Sequence, residues 1–565
     1  MAACDRQTHN HPKILKLSSR CLIIITSLFF CFILNLSLWR FAINNVDVNS
    51  LSTLFFALSL PVFIWIGLYF IFSILLWPYI YKPVLAAIII LSSVANYVMF
   101  QYGIFIDSDM MRNLFETNRR EALDYVNLSG LIWLTFTGLL PSALLIKAKV
   151  VFQPFWKEFG NRCLTVVICL LPLALIAATL YKEYAIFGRN NRQVTRLINP
   201  TNYIYGTWRY FQRQALMKRE FTRIDENVQH QPFPDEHFTV FVIIAGETAR
   251  SMNFSLNGYK RPTNPKLTAR DVISFTDVTA SGTSTAISLP AMFSHLSRSK
   301  FNLNDAVYSE NILDLLASAG YKVIWLENDN GCKKVCDRVF TRDMATENNP
   351  EYCSGAYCFD EVMIAPLENI LSDVKQDTVI ILHAIGSHGP SYYKRYPDEF
   401  KIFQPTCDTS EVQNCPAEHI INTYDNTIAY TDHVIDRAIA TLENFPEYES
   451  GLLYVSDHGE SLGENGLYLH GLPFSIAPDE QKKVPMILWM SEVMKVSDHI
   501  DYDCLRQKSA AQYSHDNLFH SLAALLEIST RMYEPALDLF APCRLASMPQ
   551  IQNSPEQNPN RQRGE

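Results

Sequence analysis

Apolar residues are spread unevenly along this chain. Up to about residue 185, stretches dense in Leu, Ile, Phe and Val occupy residues 21–38, 51–77, 84–104, 128–146 and 163–181. Each approaches or exceeds the roughly 20 apolar residues that a helix needs to cross a bilayer. Beyond about residue 230 the pattern changes to short apolar runs separated by polar loops. The runs at 239–244, 322–326, 378–382, 451–455 and 484–488 read as buried strands, and 312–319 and 420–442 carry helical spacing between them. Fully apolar strands alternating with helices predict an α/β domain on a mostly parallel sheet, covered on both faces. The expected organisation is an all-α domain of five transmembrane helices (1–182), a polar and aromatic bridge (183–232), an α/β domain (233–548) and a disordered tail (549–565).

Orientation follows from the loops. Lys13, Lys16 and Arg20 precede the first apolar stretch, and Lys147, Lys149, Lys157 and Arg162 fall on the same side after four crossings. The opposite loop, residues 44–50, carries no Lys or Arg. The positive-inside rule therefore places the N-terminus in the cytoplasm, and five crossings deliver the α/β domain outside, in the periplasm of a Gram-negative cell. Trp39-Arg40-Phe41 offers no small-residue cleavage site, so the first stretch is expected to stay as an anchor. Arg112, Arg119 and Arg120 run against this count but are mixed with Asp107, Asp109, Glu116, Glu121 and Asp124. In that loop Asn113, Thr117 and Glu121 recur every four residues, one polar stripe on a helix. The stripe is either a solvated face or a grip on a lipid headgroup, with Glu121 facing an amine.

The net charge of -9 and a pI near 5.9 argue against a nucleic-acid partner. Of thirteen cysteines, eight lie in the outer domain. Cys332/Cys336, Cys353/Cys358 and Cys407/Cys415 are closely spaced, with Cys504 and Cys543 left over. An oxidising compartment favours such short pairs as disulfides; the rival, a thiolate zinc site, lacks CxxC spacing.

Candidate chemistry collects at strand ends, the edge where ligands bind in open α/β sheets. The run 239–244 leads to Glu247, 378–382 leads to His388, and 451–455 leads to Asp457 and His458, with His470 beyond in a Gly-rich loop. Asp457 and His458 are neighbours, so a strand would turn them to opposite faces; a turn allowed by Gly459 brings both to one ion. Thr285 precedes a helix expected from Ala286, so its hydroxyl would sit at a positive helix end suited to phosphate. Threonine is a weak nucleophile that a divalent cation can activate. Glu247, Thr285, Asp457 and His458 would make a four-ligand zinc set with the nucleophile as one ligand. His388 and His470 could bind the substrate phosphate, hold a second metal or protonate the leaving group, and Lys333 could add positive charge. Each has a bland alternative: a helix cap for Thr285 and Glu247, a satisfied core histidine for His388, a surface charge for Lys333.

Four longer motifs carry a resemblance. GETARSMNFSLNGY, SGTSTAISLPAMFS, IGSHGPSYYKRYP and YVSDHGESLGENGLYLHGLP resemble the phosphoethanolamine transferases of the alkaline-phosphatase superfamily, those that modify lipid A in particular. The resemblance implies an alkaline-phosphatase-like outer domain and zinc on Glu247, Thr285, Asp457 and His458, with Thr285 the nucleophile that becomes phosphoethanolamine-modified. It also implies phosphate-facing roles for Lys333, His388 and His470, and headgroup contacts from Asn113, Thr117 and Glu121. Its donor would be phosphatidylethanolamine, its acceptor a lipid A phosphate, and the enzyme a monomer in the inner membrane. A new amine on lipid A would weaken the binding of cationic peptides such as polymyxin. The family's disulfides match the three short pairs and make Cys504–Cys543 a fourth. One departure stands out: Ser281 and Ala291 occupy positions where look-alikes carry cysteines, which predicts a less constrained nucleophile loop.

Rival readings remain. The acceptor could instead be a lipopolysaccharide core sugar or a periplasmic glucan. A sulfatase-type hydrolase is disfavoured, because no Cys/Ser-x-Pro-x-Arg motif occurs at Thr285. A metal-bound sensor without turnover is disfavoured by the intact ligand set.

Overall fold

The computed structural model describes residues 16–545, apart from 47, 118–121, 123–124, 217–219, 231–236, 348 and 355–356. The chain forms two compact units, one of residues 1–111 and 126–211, the other of residues 112–125 and 212–565. The boundary between them at 211/212 falls within the stretch 183–232. The tail from 549 onward and Glu121 lie outside the described residues.

In the first unit, the helices Leu51–Leu75, Tyr81–Tyr102, Leu128–Lys147 and Phe155–Asn190 are long and apolar enough to span a membrane. Ser19–Phe32 and Leu36–Asn45 meet the same test only as a pair, bent by 50° at the break between them, the form of a broken span or of a re-entrant loop. A break exposes carbonyls that hydrocarbon cannot satisfy. Here two buried asparagines satisfy them, since Asn35 Nδ2 donates to Phe30 O (2.9 Å) and Asn199 Nδ2 to Leu34 O (2.7 Å). The Asn199 amide in turn donates to Asn35 Oδ1 (2.8 Å). Arg162 does the same work at the end of Leu51–Leu75, donating to the Ser73 and Leu76 carbonyls while paired with Glu158 at 2.9 Å. Apolar side chains such as Val167, Leu171 and Leu175 stay exposed on Phe155–Asn190, as a lipid-facing surface requires.

The second unit is built on an eight-stranded sheet. In chain order its strands are β1 (Thr239–Gly246), β2 (Ile273–Thr279), β3 (Lys322–Glu327), β4 (Phe340–Asp343), β5 (Thr378–His383), β6 (Glu449–Ser456), β7 (Lys483–Met490) and β8 (Gln512–Ser514). They lie in the order β8-β2-β7-β6-β1-β5-β3-β4, and β7 alone runs antiparallel to the rest. All five apolar runs are strands, and the sheet is mostly parallel. Three strands had no such run: β2 alternates buried and partly exposed residues, β4 is exposed throughout, and β8 is a three-residue edge.

Phe241, Ile243 and Ala245 of β1 share a core with Leu289, Leu315 and Phe519, which come from the helices Thr285–Met292, Ile312–Ser318 and Asp516–Leu525. The alternate residues Val240, Val242 and Ile244 turn to the other face and are equally buried. Both faces are therefore covered, which is why the central strands read as unbroken apolar runs. Cys332–Cys336, Cys353–Cys358, Cys407–Cys415 and Cys504–Cys543 form disulfides.

Candidate active site

Sheet register places the polar residues. Ser456 at the end of β6 lies opposite Gly246 at the end of β1, and the Asp457 amide extends the pairing to Gly246 O at 2.9 Å. The next residues along, Glu247, Asp457 and His458, are thus delivered side by side at the C-terminal edge, all fully buried. His458 Nε2 lies 3.3 Å from Glu247 Oε1 and 3.4 Å from Asp457 Oδ2. Gly459 serves this turn in a different way from the one its sequence position predicts. It does not adopt the left-handed conformation; a Cβ there would come within 2.1 Å of Glu480 O. Its role is close approach. Gly386 does need a positive φ (+49°), and its bare Cα lets Glu247 O pass where a Cβ would lie 2.5 Å away.

Thr285 begins the helix Thr285–Met292, so its hydroxyl stands at the positive end of that helix. It donates to both Glu247 oxygens, at 3.2 and 3.1 Å. The structure therefore brings Glu247, Thr285, Asp457 and His458 together.

Burial alone would raise the Glu247 carboxyl, but His458, His388 and His470 hold it well below the usual carboxylate range. Asp457 moves the opposite way, pushed well above by burial and by the Glu247 charge. Burial lowers His458, yet the charges of Asp457 and Glu247 outweigh it and push the imidazole up to about 10. Such a cluster holds protons where a cation would be more at home. Ligand atoms of Glu247, Asp457 and His458 lie within 4.8 Å of one another. Asp457 Oδ2 and His458 Nε2 are buried with no hydrogen-bond partner, the open valences that a metal ion fills. The residues fit a divalent ion with two carboxylates, an imidazole and the Thr285 oxygen.

His470 packs 4.3 Å from the His458 ring and 5.7 Å from that of His388, so both candidate histidines join the site. Lys333, at φ 49°, donates to Asn330 O (2.6 Å), and its charge, with those of Arg112 and Lys334, pulls down the Glu116 carboxyl that burial raises. Asn113 reaches the active-site loop, with Nδ2 placed 3.7 Å from a Cβ built on Gly471. Thr117 turns its hydroxyl back to Asn113 O at 2.5 Å, ending the helix Ser108–Glu116.

Several neighbours were absent from the sequence reading. Glu460 accepts from His470 Nδ1 (2.8 Å) and from the Tyr392 hydroxyl. His383, Glu327 and Asp329 occupy the ends of β5 and β3, where the strand-end rule that found Glu247 also points. The loop before Thr285 is also held by contacts that the missing cysteines do not predict. Ser281 N donates to His515 Nδ1 (3.1 Å), its hydroxyl reaches Asp516 Oδ1 (3.4 Å), and its carbonyl accepts from Arg298.

A hydroxyl at a helix start beside a buried carboxylate–imidazole cluster, on the edge of a mostly parallel sheet, defines a metal-dependent group-transfer domain. The sulfatase family matches residues 239–528, and the family described as phosphoethanolamine transferase EptA/EptB matches residues 64–215. Phosphoethanolamine transferase EptA of Escherichia coli (strain K12) is 38% identical over 534 residues, covering 93% of this chain and 97% of that protein. Phosphatidylethanolamine transferase Mcr-1 of Escherichia coli is 35% identical over 425 residues, 73% of this chain and 78% of its own. The integral membrane lipooligosaccharide phosphoethanolamine transferase A of Neisseria meningitidis superposes with a TM-score of 0.91 at 37% identity, over 94% of this chain and 99% of that one. The chain belongs to the phosphoethanolamine transferase family, as a multi-pass membrane enzyme with an alkaline-phosphatase-like catalytic domain.

Proposed function

We propose that this enzyme moves phosphoethanolamine from phosphatidylethanolamine to a lipid A phosphate, at the periplasmic side of the inner membrane, in two displacements through Thr285. The observation that carries the reading is the Thr285 hydroxyl, donating to Glu247 inside the buried metal-ready cluster. Thr285 Oγ attacks the phosphorus, its P–O bond forms as the bond to diacylglycerol breaks, and the proton lost by the hydroxyl passes by way of His470 to the departing alkoxide. Phosphoethanolamine is left esterified to Thr285, and an oxygen of the lipid A phosphate then displaces it. Zinc held by Glu247, Asp457, His458 and the Thr285 oxygen would lower the hydroxyl's pKa and neutralise charge on the phosphoryl oxygens.

The surrounding residues serve the proton and the phosphate. Burial, then the charge of His458, lowers the His470 imidazole. Its Nδ1 is committed to Glu460, which leaves Nε2 as the basic nitrogen that relays the proton. His388 and Lys333 take the phosphate, and Asn113, Thr117 and Glu121 take the headgroup.

Two relatives bear on the acceptor. The Neisseria meningitidis protein is named for lipooligosaccharide, and an Escherichia coli relative, 26% identical over 444 residues, is named Kdo(2)-lipid A phosphoethanolamine 7''-transferase. The second name supports an alternative acceptor, a sugar attached to lipid A. Expression with labelled donor tests the reading. Wild type should yield a phosphoethanolamine adduct on the peptide bearing Thr285 and modified lipid A by mass spectrometry, and Thr285→Ala should yield neither. Modification by Thr285→Ala at the normal rate overturns the mechanism, and label confined to core sugar overturns the acceptor.

A further inference from the structure

A second group of ligand atoms shares Glu247 with the first. Oxygens of Glu247 and Asp329 and a ring nitrogen of His383 all fall within 4.8 Å of one another. Two ligands of one divalent ion, each bonded at about 2.0–2.4 Å, can be no farther apart than about 4.8 Å, so the three atoms can share one ion. This group is separate from the His388–His470 pair and uses neither of them.

The state of His383 points to the ligand. Its Nδ1 faces both Glu327 oxygens, at 2.9 and 2.8 Å. Glu327 is itself fixed by Trp325 Nε1 (2.8 Å), the Asp329 amide (2.9 Å) and the Gly331 amide (3.1 Å). A carboxylate on one ring nitrogen, leaving the other bare, is the arrangement that orients a metal-binding imidazole. The other nitrogen, Nε2, is buried without a hydrogen-bond partner, in a side chain only 1% exposed. Protonated, Nε2 lacks an acceptor; unprotonated, it lacks a donor. Either way a buried polar atom goes unpaired, a cost that a bound cation removes.

We infer that Glu247, Asp329 and His383 hold a second divalent cation, so that the Glu247 carboxylate bridges two ions. Two carboxylates and one imidazole suit Mn2+ or Zn2+. The second ion fixes the Glu247 carboxylate in place and offsets the charge that Asp329 brings to the nucleophile's neighbour. It rests on Glu247 being a ligand of the first ion, and the test reads the two ions apart.

Full-length protein in detergent is stripped of metal, loaded with one equivalent of Zn2+, and titrated with Mn2+ by electron paramagnetic resonance, with zinc content measured on the same sample. Wild type should take up one Mn2+ beside one Zn2+. Asp329→Asn, nearly isosteric, should weaken Mn2+ binding at least tenfold while keeping its zinc, and His383→Gln should do the same. Asp457→Asn should lose the zinc instead. Wild type that binds no Mn2+ at one bound Zn2+ overturns the inference and leaves the Thr285 mechanism standing. So does unchanged Mn2+ affinity in folded Asp329→Asn, with the fold checked by near-ultraviolet circular dichroism.

Discussion

Glu460 shows how one buried side chain can set the protonation of another. It is fully buried, and its two oxygens accept from the Tyr392 hydroxyl and from His470 Nδ1. An amide at this position could accept through one oxygen only, so His470 would lose the partner that fixes its tautomer. Glu460→Gln is expected to lower kcat at least tenfold, about 1.4 kcal/mol of barrier, with KM little changed. Zinc content should stay at the wild-type value and Glu460→Asp should restore part of the rate; loss of zinc instead would make Glu460 a support for the metal. Glu460 sits two residues after His458 in the sequence, yet nothing in its type distinguishes it from a surface glutamate. Glu247, Thr285, Asp457 and His458 were legible because each follows an apolar run or starts a helix. The burial that turns Glu460 into a working group is visible only in the fold.

At the scale of elements, the central strands were legible and the edges were not, for a single physical reason. β1, β3, β5, β6 and β7 are covered on both faces and so carry an unbroken apolar run, whereas β4 and β8 close the sheet and β2, beside the edge strand β8, is only partly covered, so all three mix in polar residues. The loop before Thr285 is the more telling case. Its hold on the sheet runs through His515, 234 positions from Ser281, which accepts from the Ser281 amide and lies 3.0 Å from Ser456 O through Nε2. No local pattern announces such a link, so the replacement of two cysteines reads as a loss from the sequence alone. Burial pushes the His515 imidazole down to about 3, and it stays neutral in the fold. Between about pH 6.5 and 3 the unfolded chain therefore binds a proton that the folded chain refuses, and stability falls as pH is lowered through that window. By pH 5 the contribution is about 2 kcal/mol for this histidine. His520, driven by burial to about 4, adds in the same direction. His515→Gln keeps a donor and an acceptor without the titration. It should flatten the fall in melting temperature between pH 7 and 5, and an acid limb as steep as that of wild type would count against this account.

For the whole molecule, the two units answer to different solvents and should lose stability for different reasons. The first holds its bent helix pair together through Asn35 and Asn199 and presents apolar side chains outward, with no metal-ligand group among its described residues. The second gathers Glu247, Asp457 and His458 with open valences at the heart of its sheet edge. A cation that binds the folded site and not the unfolded chain stabilises this unit by mass action, by about 2.7 kcal/mol at one hundred times its dissociation constant. Calorimetry of the full chain in detergent is expected to show two unfolding steps, of which chelation should lower only one, and added Zn2+ should restore it. Asp457→Asn removes a ligand and should make that step insensitive to chelator, at a temperature near that of the stripped wild type. If chelation instead moved both steps together, the units would unfold as one, and the cluster's energy would be shared across the chain rather than confined to the catalytic domain. If it moved neither, the open valences of Asp457 and His458 would be satisfied without an ion, and the proposed activation of Thr285 would need another source.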